Sequence, residues 1–289
     1  MAQPAQGSIE NVSDTARWVA IYRAMETERP DAIFRDPWAR RLGGPRGEAI
    51  VRELPQGARM AWPMVVRTAV FDEVILQSIR TRGVDLVVNL AAGLDTRAWR
   101  LDLPPALRWV DVDLPGITEY KRGVMAAETP RCRYEAVSAD LADPVQRDGV
   151  LARIARDAAC GLVVSEGLLV YLGEEDVAAL AGALHRQPAL RWWLADLPSP
   201  PLLKRMQKQW GKQLSDGNAP FRFAPEAGPG FFAPFGWRVA ELHSMLEDAR
   251  RLRRGMRGAW LAHLLMALAP ARKREEFRRL SINLLLERT

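Results

Sequence analysis

The chain predicts an α/β fold built on an open, mostly parallel sheet of Rossmann type, and three observations carry that expectation. The stretch 84–97, VDLVVNLAAGLDTR, is an apolar, β-branched run of strand length followed by small residues, then Asp95 and Thr96. Oxygens of Asp95 and Thr96 can accept from the free N–H groups of a following helix. A buried strand running through a small-residue turn into a helix start is how such folds bring backbone to a ligand. Apolar runs then alternate with helical patterns along 84–195, as a parallel sheet requires. Four successive strands end in or beside a carboxylate, Asp113, Asp140, Glu166 and Asp196. Acidic residues start helices for capping reasons alone, but four at the carboxyl ends of neighbouring strands point to a ligand crevice.

Residues 1–12 read as a loose arm. Ser13 or Asp14 can cap a helix to about residue 28, with Ala16, Val19, Ala20 and Ala24 at helical spacing before Pro30. The turn at 35–38, Arg-Asp-Pro-Trp, begins a short helix ending near Gly43-Gly44, and a longer helix covers about 65–82. These helices form a layer that can cap a site. Strands follow at 84–90, 107–112, 133–138, 162–165 and 190–195. The proline-rich segment 198–230 reads as an insertion, and insertions at the ligand edge of a sheet become lids or substrate walls. Residues 237–240 read as another strand, 257–279 as mostly helix, and 281–286 as the last strand. The whole of 1–289 is therefore expected to form one domain: a helical cap (1–82), a core (83–197 and 233–289) and a lid or substrate insertion (198–232). No internal repeat is visible.

Composition narrows the function classes. An apolar fraction of 48% with ten tryptophans suffices for a sizeable core. No stretch reaches the ~18 apolar residues of a membrane span, and the N-terminus lacks the apolar core of a signal peptide, so a cytoplasmic protein is expected. Cys132 and Cys160 open predicted strands and read as core thiols rather than a disulfide. Neither they nor the three histidines have metal-ligand spacing, so no metal site is expected. His185 reads as a surface residue. The net charge of +6 comes almost wholly from arginine, whose fork suits carboxylates and phosphates. The dense cluster Arg250, Arg251, Arg253 and Arg254 reads as a solvated helix face, and no nucleic-acid motif accompanies it.

The loop after the first strand and Asp113, about twenty residues on, together suggest a nucleoside-containing cofactor, because an acid at that strand end can bond both ribose hydroxyls. A nicotinamide cofactor would use G-x-G-x-x-G, but Ala91 holds the first glycine position and Arg97 lies close to where the last would fall. A carboxylate at Asp95 would repel a pyrophosphate and could pair with an ammonium. The loop thus fits S-adenosyl-L-methionine better than a dinucleotide. A nicotinamide-dependent oxidoreductase and a non-catalytic cofactor-binding protein remain the alternatives.

The segments SDTARWVAIYRAMETERPDAIFRDPWARRL, VRTAVFD, VVNLAAGLDTRAWRLDLP, WVDVDLP, SADL and SEGLLVYL, in order from residue 13 to 172, resemble the leucine carboxyl methyltransferase family. The likeness is greatest to its bacterial branch of small-molecule O-methyltransferases, which includes the tetracenomycin carboxyl-methylating enzyme. Beyond about residue 197 it fades. The resemblance implies a class I methyltransferase fold that uses S-adenosyl-L-methionine for O-methylation in secondary metabolism, by in-line displacement. It also implies that Arg67 clamps the methionine carboxylate, that the Ala91 and Gly93 backbone lines the cofactor, and that Asp113 holds the ribose. Asp140 and Leu141 would flank adenine, Glu166 would sit at the methionine end, and Tyr171 would face the transfer cleft. Ala91 stands where the family commonly has glycine. The acceptor would be a carboxylate or phenol of a small molecule, with Arg97 or an arginine of the insertion steering it. No general base is evident, which favours a carboxylate, already ionised at neutral pH.

Overall fold

A computed structural model describes residues 12–54, 57–216, 220–256 and 269–289. Its centre is a seven-stranded sheet of order β3-β2-β1-β4-β5-β7-β6, formed by β1 (Leu86–Leu90), β2 (Arg108–Asp113), β3 (Arg133–Ser138), β4 (Gly161–Ser165), β5 (Leu190–Pro198), β6 (Trp237–Ser244) and β7 (Ser281–Arg288). The first five strands are parallel, and β7 runs antiparallel between β5 and β6. Strand order reverses between β1 and β4, the place where open α/β sheets bind ligands.

The central strands are buried and mostly apolar because both sheet faces are covered. On one face Val87, Trp109, Leu162 and Leu194 pack with Val66, Val70, Phe71, Val74 and Ile75 of α3 (Ala61–Thr81) and with Met245 and Ala249 of α9 (Met245–Arg251). On the other face Val88, Val110, Val163 and Trp193 pack with Leu151 and Ile154 of α6 (Pro144–Ala155) and with Val177, Leu180 and Leu184 of α7 (Glu174–His185). A third apolar cluster joins Trp18, Ile21 and Tyr22 of α1 (Val12–Thr27), Ile50 and Val51 of α2 (Ala39–Glu53), Val170, and Leu203 and Phe221 from the segment after β5. In the N-terminal helical layer, α3 packs directly on the sheet while α1 packs against α2 and α3.

Several elements depart from the sequence-based expectation. The helix expected to stop near Gly43-Gly44 continues to Glu53 through a kink at Gly44, whose φ of 61° and ψ of −175° accommodate Pro45. α3 begins at Ala61 rather than near 65, because Pro63 in a first turn removes no helical hydrogen bond. The proline-rich segment contains a 17-residue helix, α8 (Pro200–Asp216), since Pro200 and Pro201 open a helix as readily as they punctuate a loop. The expected helix at 257–279 lies partly outside the described residues; the described part is α10 (Ala271–Arg278).

The arginine cluster is not solvated throughout: Arg250, Arg251 and Arg253 are exposed, but Arg254 is buried. Arg254 pairs with Glu26 of α1 at 2.9 Å and is 8% exposed, and Arg251 reaches Glu73 of α3 at 2.7 Å. The cluster stitches the chain after β6 onto the helical layer, because these acids lie within reach only once α9 has packed. Nor is His185 a surface residue: it is half-buried, edge-on to Trp237 with centroids 6.1 Å apart. Cys132 and Cys160 are free and buried, and burial pushes the Cys132 thiol up to about 11. No helix among the described residues is long and apolar enough to cross a membrane.

Candidate active site

A cavity of about 800 Å³ opens at the carboxyl ends of the parallel strands, roofed by α1, α3 and α8. All four strand-end acids, Asp113, Asp140, Glu166 and Asp196, line it, as do Ala91, Gly93, Asp95, Arg97, Leu141, Arg67 and Tyr171.

The loop after β1 turns through two left-handed residues, Ala91 (φ 49°) and Gly93 (φ 52°). For Ala91 this conformation costs roughly 1–2 kcal/mol relative to glycine. Gly93 is required twice over, since a side chain there would also come within 3.0 Å of the Ala16 methyl. The turn aims the Gly93 N–H at Asp113 Oδ2, 2.6 Å away, and Leu114 N–H donates to Asp113 Oδ1 at 2.7 Å. A carboxylate has about four acceptor positions, so two N–H bonds orient Asp113 without exhausting it. Burial raises its pKa, against the two backbone bonds and Lys121, which lower it. At the end of β3, Asp140 accepts from Ala142 N–H at 2.9 Å, with Leu141 half-buried beside it.

The end of β4 carries a buried ion-pair network. Arg97 is 2% exposed and donates to Asp72 at 2.7 Å, to Asp95 at 2.6 Å, to Glu166 at 2.7 Å and to the Thr68 carbonyl at 3.4 Å. Arg67 donates through Nε to Glu166 and through Nη1 to Asp196, each at 3.0 Å. Arg100 also holds Asp72, and the Gly167 N–H donates to Asp196 at 2.6 Å. Gly167 lies at φ 68° with the Arg67 guanidinium against it, so a methyl group there would press on Arg67 at 3.1 Å. Burial alone would raise the pKa of Glu166, but Arg97 and Arg67 outweigh it and hold the carboxyl below its usual range. The same contest holds Asp95 well below the carboxylate range, with Arg97 and Lys121 prevailing over burial.

These contacts revise four local expectations. Arg97 has its donors committed to three acids and a carbonyl, so it does not serve to steer an acceptor. Asp95 accepts from Arg97 and from Asn89 at 3.1 Å, so it is not a lone carboxylate awaiting an ammonium. It also accepts the Arg97 N–H at 2.7 Å, while the Thr96 hydroxyl turns to Asp36 at 2.7 Å instead of capping the helix. Arg67 reaches the cavity, but with Nε and Nη1 engaged it cannot offer a ligand a bidentate fork without giving up Glu166 or Asp196. The sequence reading missed Asp72 and Arg100 as members of this network. Asp72 lies within the VRTAVFD segment, and a carboxylate on the buried side of an apolar helix is itself a signal that a cation must face it.

Tyr171 ends a short 3₁₀ turn (Leu169–Tyr171), stacks obliquely on Phe221 at 5.3 Å and bonds Thr15. Burial pushes its hydroxyl up to about 12, and does the same to Tyr22, whose hydroxyl donates to the Gly57 carbonyl at 2.8 Å. Trp18, Trp62, Met64, Met206 and Phe221 complete an aromatic and thioether-rich wall.

The profile described as leucine carboxyl methyltransferase matches residues 16–185. A protein of Streptomyces avermitilis assigned as an S-adenosyl-L-methionine-dependent methyltransferase is 34% identical over 254 residues, 81% of this chain and 86% of the relative. One of Parafrankia sp. with the same assignment is 40% identical over 179 residues, a match spanning 58% of this chain and 57% of that relative. Among solved structures, a DUF574 family protein from Streptomyces avermitilis superposes with a TM-score of 0.62 at 15% identity, covering 99% of this chain and 100% of that one. That likeness speaks for the fold alone.

Proposed function

The chain belongs to the leucine carboxyl methyltransferase family, and from that premise we propose that its cavity brings S-adenosyl-L-methionine together with a small molecule whose carboxylate receives the methyl group. It is an S-adenosyl-L-methionine-dependent methyltransferase of class I fold. The cofactor supplies a methyl group made electrophilic by its sulfonium. The residues present fit it: Asp113 keeps acceptor positions for a ribose diol, and no cation of the loop after β1 is free to receive a pyrophosphate, since Arg97 and Arg100 there are paired. Asp113 would hold the ribose, Asp140 and Leu141 the adenine end, the Ala91 and Gly93 backbone the middle, and Glu166 with Arg67 Nη2 the methionine end. Tyr171 and Phe221 would form one side of the acceptor space. Residues 1–82 would cap the site and 198–232 would wall it.

The observation that favours a carboxylate over a phenol is the proton chemistry of the lining. The described lining residues include no histidine, lysine or cysteine. Its tyrosines Tyr22 and Tyr171 sit at about 12, and Glu166 is held ionised by two arginines. None of these takes a proton near neutrality, which a phenol of pKa about 10 needs and a carboxylate does not. With the cofactor saturating, the methyl-transfer rate is expected to be flat from about pH 6 to pH 9. A rate that climbs with a basic pKa would turn the assignment toward a phenol. If no acceptor of any class is methylated, the chain is a cofactor-binding protein without catalysis.

Cofactor affinity carries its own pH signature. A ribose diol donates to the ionised Asp113, whose pKa burial raises. S-adenosylhomocysteine affinity should therefore fall as pH drops from 7, beginning above the ordinary aspartate value of about 3.9. The early fall should vanish in Asp113→Asn; calorimetric titration at stepped pH reads both.

A further inference from the structure

Among the described residues five arginines line the cavity: Arg23, Arg67, Arg97, Arg100 and Arg205. Four are neutralised within it, by Asp36, by Glu166 and Asp196, by Asp72, Asp95 and Glu166, and by Asp72. Arg205 differs: no carboxylate among the described residues pairs with it. It shares one face of α8 with Leu202, Met206 and Gln209, all lining the cavity at helical spacing, whereas Lys204 and Lys208 on the same helix do not line it. The surroundings of this face are apolar and aromatic, with Trp62, Met64, Tyr171 and Phe221 in the same lining. The polarity of the cavity is thus divided. Asp113 and Asp140 are acids held by backbone N–H groups with no side-chain ion pair, and Arg205 is a cation without an acid.

We propose that Arg205 is the residue that selects the acceptor, by pairing with an anionic group on a flat, apolar molecule. This rests on reading the cavity as a methyltransferase site and goes beyond it by naming the recognising residue and the form of the acceptor. A guanidinium fork matches a carboxylate geometrically as well as electrically, and the aromatic lining supplies the area that binds the body. Because Arg205 is solvent-exposed in this structure, the pair forms at the cavity mouth and contributes selectivity more than tight affinity.

The test uses the full chain saturated with S-adenosylhomocysteine and two fluorescent probes of one shape, anthracene-2-carboxylate and anthracene-2-carboxamide. The wild type is expected to bind the acid about fivefold tighter than the amide, the scale of a partly exposed ion pair. In Arg205→Gln the preference should disappear through loss of acid binding alone, with amide binding and the calorimetric affinity for S-adenosylhomocysteine unchanged. Arg205→Lys should recover part of it. An acid preference that survives in Arg205→Gln, or a wild type that shows none because it binds both probes equally or neither, overturns the proposal. Absence of S-adenosylhomocysteine binding in the wild type is a separate result, which removes the underlying methyltransferase reading and this proposal with it.

Discussion

Asp113→Ala is expected to weaken S-adenosylhomocysteine binding about a hundredfold or more. A hydrogen bond to a charged group contributes about 1.5–3 kcal/mol, and a ribose diol offers Asp113 two of them. The substitution also releases the Gly93 and Leu114 N–H groups, which hold the β1 turn against the end of β2. Asp113→Asn keeps the shape and one acceptor oxygen, so it should fall between the wild type and alanine. Calorimetry on the three proteins reads the order, with NADH as the control ligand giving no heat. An alanine variant within about threefold of the wild type would remove Asp113 from the ribose role, whereas a chain that takes up NADH would overturn the choice of cofactor.

Arg97→Met should lower the unfolding free energy by about 3–5 kcal/mol, the scale for removing one partner of a buried charge network. The three acids around Arg97 are not left equally exposed to the loss. Asp72 keeps Arg100 and Glu166 keeps Arg67, but Asp95 keeps only Asn89 as a side-chain donor. The sign of the pH dependence follows. In the wild type the folded-state pKa values of Asp95 and Glu166 lie below their unfolded values. Their contribution to stability is therefore present above the unfolded carboxylate range of about 4 and is lost as pH falls through the folded values. Without Arg97, Lys121, Arg100 and Arg23 still oppose burial at Asp95, but its folded-state pKa rises, so the variant loses less stability than the wild type as pH falls. The gap between the two proteins should be widest near pH 7 and narrow as pH falls through the carboxylate range in chemical denaturation curves. A loss under about 1 kcal/mol, or a gap independent of pH, would show that water has replaced the guanidinium.

The strands and the acids at their carboxyl ends were legible in the chain because their signals are local. A mostly apolar, β-branched run reads as a strand covered on both faces even with a polar residue such as Asn89 inside it. Val84 to Leu90 and Asp113 needed no knowledge of the rest of the molecule. The proline-rich segment after β5 did not announce its helix, for a local reason too: the Pro200-Pro201 pair both breaks a preceding element and opens a following helix, and the choice rests on the packing of Leu203 and Phe221 against α1 and α2.

Sequence alone therefore determined the α/β architecture, the small-residue turn at Ala91 to Gly93 and the row of strand-end carboxylates, because strand periodicity and turn chemistry act over a few residues. The tertiary structure decided which charges are spent and which are free. Arg67 finds Glu166 and Asp196 across 99 and 129 residues of chain, and Arg97 finds Asp72 across 25. A salt bridge depends on separation in space, which the order of residues does not encode. Only when the elements have packed does Arg97 prove to be an internal counter-ion and Arg205, among the described residues, a lining arginine without a carboxylate partner.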